Sequence, residues 1–249
     1  AFRFRYKMPW QASGGSSDNF WYSYDYGSIH WVSVSSEHDL DDGSPQKLWI
    51  ENDLSRAASN RASIPWVVVA IHKPLYCSAK GTPGGYAAKL QPLLNQYDVD
   101  LLLSGHMHAY ERVHPNSNGE VTQYPSKSKS GRGLHKVDVY KSLQGTGPVL
   151  VMQGNAGGMQ AERWDQPAPA WSAVRFANGY RGREHEMDAS SQQQEDAGLP
   201  LDTPHWNYTN TFGFGVVSAL NSTHLHYQVV PVSGGIGTDE FLLVRETNT

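Results

Sequence analysis

One cysteine in 249 residues, Cys77, excludes an intramolecular disulfide, so no covalent framework braces this fold. The longest apolar run, residues 66–71, falls far short of the roughly 20 apolar residues that cross a bilayer as a helix. Nor is there an excess of one charge. Lys plus Arg is 20 and Asp plus Glu is 24, and a net −4 gives no general attraction for a phosphate backbone or an anionic membrane surface. Neither nucleic acid nor membrane is therefore an expected partner. Three enzyme signatures are missing as well: a Gly-x-Ser-x-Gly elbow, a Walker-type phosphate loop, and a dinucleotide glycine fingerprint at a strand-to-helix turn. What is present in quantity is glycine, proline and tryptophan: 24 Gly, 14 Pro and 8 Trp. That profile fits short core strands under long, aromatic-rich loops and disfavours an all-helical fold.

The patterning agrees. Apolar alternation over residues 21–34, broken at Tyr26-Gly27, predicts a hairpin. Ser44-Pro45 followed by Leu48, Trp49, Ile50, Leu54 and Ala58 predicts a capped helix over 45–60. The continuously apolar segment 66–71 reads as a strand covered on both faces. A second helix is expected over 87–97, and a second buried strand over 99–103. This order implies layered α/β architecture with part of the sheet parallel. Residues 116–147 and 159–206 read as long polar loops, separated by a strand at 148–152 that leads into Gly154–Gly158. The tail, 212–220, 224–231 and 240–245, reads as an antiparallel meander.

Both buried strands run into histidine, at His72 and at Gly105-His106-Met107-His108. In extended backbone His106 and His108 would point the same way, and ligands of open α/β sheets gather beyond the carboxyl ends of strands. Three imidazoles would then converge, and imidazole is the commonest nitrogen donor for zinc, iron and manganese. His38, in Ser36-Glu37-His38-Asp39 after a strand, is held open as a further candidate; the other histidines lack such a setting. Gly154–Gly158 could bring backbone close to the site. Cys77 reads as an ordinary free cysteine.

These residues resemble the purple acid phosphatases, within the calcineurin-like metallophosphoesterases. The resemblance rests on "NFWYSYDYGSIHWVSVSSEHD", "IPWVVVAIHKPLYCS", "VDLLLSGHMHAYERVHP", "PVLVMQGNAGG", "PAPAWSAVR" and "GFGVVSALNSTHLHYQVV", in family order over nearly the whole chain. It implies an αββα sandwich with mixed sheets, and a binuclear centre of Fe(III) with Zn, Mn or Fe(II). It also implies His72 and His106 as ligands of the divalent metal and His108 as a ligand of the ferric one. The implied activity is hydrolysis of phosphomonoesters by a metal-activated hydroxide. Residues 1–249 are then expected to be the C-terminal portion of one catalytic domain, active together with an N-terminal portion of the same protein; a homodimer is compatible with this.

The departures are equally specific. The family's aspartate-rich metal motifs, its iron-bound tyrosine and its Gly-Asn-His-Glu element do not occur in this chain. Where many plant-type members carry a substrate-facing histidine, this chain has Gly81-Thr82-Pro83-Gly84-Gly85. These differences keep a second expectation open: a non-catalytic secreted glycoprotein that retains the fold for binding or storage. Two glycosylation sequons, at Asn207 and Asn221, point with the resemblance to a secreted or vacuolar glycoprotein.

Overall fold

The computed structural model describes residues 2–16, 18–129, 136–157, 164–177, 212–232 and 238–246. Two single-turn helices, α1 (Phe2–Arg5) and α2 (Trp10–Ser13), precede a tight hairpin, β1 (Tyr22–Tyr26) and β2 (Ile29–Val34). Then follow α3 (Pro45–Ser59), β3 (Trp66–Ile71), α4 (Tyr86–Gln96), β4 (Leu101–Ser104) and β5 (Ala109–Val113). Short strands β6 (Asn116–Ser117), β7 (Glu120–Val121) and β8 (Ser126–Lys129) lead to β9 (Lys136–Ser142) and β10 (Val149–Gln153). β11 (Ser172–Ala177), β12 (Gly213–Ala219), β13 (His224–Pro231) and β14 (Glu240–Arg245) complete the order.

Seven strands form one mixed sheet in the order β1-β2-β3-β4-β10-β5-β11, and five form another, β12-β13-β14-β9-β8. The run β2-β3-β4-β10 is parallel throughout. Because β3 is apolar at every position, its alternate residues serve two cores. Val67, Val69 and Ile71 pack with Ile50 and Leu54 of α3 and with Leu90 and Leu94 of α4. Trp66 and Val68 face the second sheet, meeting a core that includes Leu225, Tyr227, Phe241 and Leu243. The layers are thus helix, sheet, sheet, the mixed α/β arrangement expected. Helix α3 begins where its sequence dictates, with Ser44 as cap accepting from the Lys47 amide and Pro45 in the first turn.

Two expectations fail. Residues 116–147 are not a loop, for they contain β6 to β9, and β9 sits inside the five-stranded sheet with Val137 and Tyr140 buried. Asp138, Lys141 and Ser142 hid the strand: Tyr140 enters the core between the sheets, while Asp138 and Ser142, on the same face, are held by Arg112 and Asp100. Likewise 159–206 contains β11, which pairs antiparallel with β5.

Strand β5 joins the layers with charge. Its Tyr110 and Arg112, and His114 just after it, face the second sheet, where Arg112 is 1% exposed. The guanidinium meets Asp138 Oδ2 at 2.6 Å and Asp239 Oδ2 at 2.8 Å, and donates to the Tyr140 hydroxyl at 3.1 Å. Tyr110 donates to the same Asp239 carboxylate at 2.7 Å. The rings of Tyr140 and Phe241 lie 5.6 and 5.2 Å from the guanidinium carbon. A buried pair of this kind adds little net stability over an apolar replacement, but losing one partner strands the other's charge in the interior. Arg112→Met should therefore cost about 3–5 kcal/mol in chemical denaturation. Adding Asp138→Asn and Asp239→Asn to it should recover most of that loss, by removing the stranded charges.

A second cluster ties the hairpin to α3. His30 Nδ1 is 2.6 Å from Asp25 and its Nε2 3.0 Å from Asp53, which also accepts from Ser23 Oγ at 2.7 Å and Arg56 at 2.9 Å. Burial alone would lower the His30 pKa; hydrogen bonds to Asp53 and Asp25 outweigh it and hold the pKa above its ordinary value. A raised value means that protonated His30 stabilises the fold fully below about pH 6.5, and that this contribution fades as pH rises through the folded-state pKa. In His30→Gln, the loss of unfolding free energy on raising the pH above 6.5 should be smaller than in the wild type, as measured by urea denaturation at a series of pH values.

Candidate metal centre

The parallel register puts four chain segments on one edge of the seven-stranded sheet. Val34 pairs with Ile71, Ala70 with Leu103, and Ser104 with Met152, so β2, β3, β4 and β10 end side by side. His38 follows the first, His72 the second, His106 and His108 the third, and Gly154 the fourth. This is the carboxyl edge at which open α/β sheets hold ligands.

His72 and His106 come together there. His72 Nε2 and His106 Nδ1 are 3.1 Å apart, with the rings nearly perpendicular and their centroids at 5.0 Å. Two nitrogens bound to one metal at about 2.0–2.1 Å, with an angle between square and tetrahedral, lie roughly 2.9–3.4 Å apart. The pair therefore fits two positions of one coordination shell. It does not complete one: among the described residues, no group of three or more His, Cys, Asp or Glu side chains could hold a metal.

His108 does not enter such a cluster, and the reason is local. The backbone is not extended between His106 and His108. His106 adopts φ +70°, the Met107 amide donates to the Gly105 carbonyl at 2.9 Å, and the Ala109 amide donates to the Met107 carbonyl at 2.8 Å. Period-two reasoning lapses in such a turn. Its positive-φ residue is His106, a conformation that is uncommon for a residue with a side chain and collects at functional sites. His38 is occupied elsewhere. Its Nδ1 is 2.8 Å from Ser35 Oγ, and its ring packs on Phe20 at 4.5 Å and edge-on to Trp21 at 5.4 Å.

The glycine turn after β10 does approach the site. A Cβ on Gly154 would stand 1.7 Å from the Met107 carbonyl oxygen, and the Gly154 amide donates to Ala109 at 2.9 Å. Cys77 is buried, and burial, followed by the Glu111 charge, pushes its thiol up to about 12, so it is no nucleophile at neutral pH. Asn221 is exposed in the β12–β13 turn, whereas Asn207 lies outside the described residues. Sequence reading overlooked the Asp25–His30–Asp53 group, although Asp25 and His30 are cross-strand partners in the hairpin it predicted. It also overlooked Glu111, a fully buried carboxylate on β5, three residues after His108.

Residues 2–110 match the family model of the calcineurin-like phosphoesterases. The chain is 32% identical over 183 residues to purple acid phosphatase 18 of Arabidopsis thaliana, covering 72% of this chain and 36% of that protein. It is 31% identical over 291 residues to an acid phosphatase of Aspergillus ficuum, covering 100% of this chain and 41% of that protein. With acid phosphatase type 7 of Homo sapiens it shares 33% identity over 253 residues, covering 92% of this chain and 45% of that protein. The chain thus spans less than half the length of these relatives. A purple acid phosphatase from yellow lupin seeds has the same fold, with a TM-score of 0.63 at 23% identity, covering 93% of this chain and 34% of that one.

The close approach at Gly154 is directly testable. Gly154→Ala must displace the 106–108 turn, and it should destabilise the protein by about 1–3 kcal/mol in thermal or chemical unfolding. Wild-type stability in that variant would contradict the described contact.

Proposed function

Since the chain carries a calcineurin-like phosphoesterase domain and has purple acid phosphatases among its homologues, we propose that it is part of an acid phosphatase acting on phosphomonoesters. The observation that carries this reading is the His72–His106 pair, spaced for one metal at the carboxyl edge of the parallel strands. In this reading residues 1–249 belong to a single catalytic domain, and further donors for a binuclear centre, Fe(III) with Zn, Mn or Fe(II), come from elsewhere in the protein. His72 and His106 would hold the divalent metal, and His108 would serve the ferric one after the turn adjusts. Bound there, such a centre supplies a hydroxide nucleophile and neutralises phosphoryl oxygens.

The chain's own contribution is orientation. The His72 carbonyl accepts from the Gly105 amide at 3.0 Å, which locks the two imidazole-bearing strand ends together before any ligand arrives. The Lys73 ammonium, 2.9 Å from Glu37, is engaged beside the pair. Exposed Asn221, with its carbonyl accepting from Trp66 Nε1 at 2.9 Å, fits a glycosylated protein of the secretory pathway or vacuole. One observation favours the non-catalytic alternative: the described residues bring together two donors and no third.

Hydrolysis of para-nitrophenyl phosphate by the whole protein separates the two. His72→Ala and His106→Ala should each lower kcat/KM at least about 100-fold. Wild-type turnover in both variants, or no phosphatase activity and no bound metal in the wild type, would favour the binding module.

A further inference from the structure

The loops that carry His72 and His106 are tied twice. The first tie is at their start, where Gly105 donates to the His72 carbonyl. The second lies beyond the histidines, at a carboxylate that no proposed step uses. Chain leaving His72 reaches Ser78, whose amide donates to Glu111 Oε2 at 2.7 Å and whose hydroxyl donates to Glu111 Oε1 at 2.6 Å. Chain leaving His106 passes through the turn and enters β5, where Glu111 itself sits with no exposure to solvent.

Burying an ionised carboxylate is costly unless its lone pairs are met. Glu111 meets that cost with three donors, since Ser172 Oγ also donates to Oε1, at 2.5 Å. Compensating charge stands one hydroxyl away, with Arg175 Nη1 donating to Ser78 Oγ at 3.1 Å and its guanidinium held over the Trp164 ring at 5.3 Å. The carboxylate is thus bonded by hydroxyl and amide donors from segments distant in sequence, and the bonds from Ser78 close a ring of chain through the imidazole pair.

We infer that Glu111 is the positioning residue of the His72–His106 pair, holding the ends of both histidine loops so that the two nitrogens keep their spacing. It touches neither imidazole and acts through the loop ends. This inference rests on the metal-holding reading of the pair, so one of its tests does not use metal.

Zinc is the probe, titrated into the whole protein against a chromophoric chelator. Glu111→Gln keeps the side chain's shape but turns an NH2 group toward the Ser78 donors, and it should weaken zinc binding 10–100-fold. Ser78→Ala, which removes one donor and is gentler on folding, should weaken it in the same direction and decides the matter if Glu111→Gln does not fold. Val113→Ala, a core truncation on the same strand, should lower Tm yet leave zinc affinity within threefold. A lowered Tm with unchanged zinc affinity in the Glu111 and Ser78 variants would overturn the inference.

Exchange of the Gly105 amide in metal-free protein gives the independent measure. Relative to the Val69 amide in the core, it should be at least tenfold faster in Glu111→Gln or Ser78→Ala. An unchanged ratio would overturn the positioning role. Absence of zinc binding by the wild type would instead refute the metal reading and leave the exchange ratio to decide.

Discussion

The guanidinium of Arg112 lies in the interior between the carboxylates of Asp138 and Asp239, with aromatic rings on its flanks. Taking that cation out of water is unfavourable by several kcal/mol unless both partners arrive in register, so the two sheets cannot slide or rotate freely against each other. Asp138 is presented by β9 and Asp239 by the turn into β14, neighbours in parallel pairing. The hydrophobic core between the sheets supplies the driving force and tolerates small shifts. The ion cluster does not, and it selects one arrangement from those that the apolar surfaces would accept.

β5 carries this constraint to the candidate site. One face of the strand addresses the second sheet through Tyr110 and Arg112; the other addresses the loops through Glu111. Its first residue follows directly on the turn that displays His106. His106 therefore stands just before a strand fixed from both sides, while His72 follows β3, which is buried between two cores. Rigid strands with the reactive groups on the connecting turns is how α/β folds generally place function.

Much of this was legible in the residues. The hairpin, both helices, β3, β4, β10 and the closing meander follow from apolar period, a Ser-Pro cap and turn residues, because each of these is a local signal. The location of His72 and His106 followed too, since strand ends are visible as the points where apolar runs stop. β9 was not legible: Asp138, Lys141 and Ser142 interrupt its apolar pattern, and Asp138 and Ser142 are explained only by distant partners, Arg112 and Asp100. The failure to foresee the turn at 106–108 has the same origin. Nothing in the local sequence marks His106 for a positive φ, and the close packing of Gly154 on the Met107 carbonyl comes from a strand far along the chain. Long-range polar partners such as those of Arg112 and Glu111 leave no periodic trace at all.

Adjacent residues of opposite charge, Glu111 and Arg112, are both fully buried, and they point to opposite sides of one strand. A one-residue slip of β5 would exchange their faces. Glu111 would then meet Asp138 and Asp239, three carboxylates in a dry space, and Arg112 would be driven toward Ser78, Ser172 and the Arg175 guanidinium, with no carboxylate to pair with. An ordinary strand slip misplaces apolar side chains; this one would also invert the polarity of two sealed compartments. The pair thus penalises misalignment electrostatically as well as through packing, and ties the frame of β5 to the placement of the histidine loops.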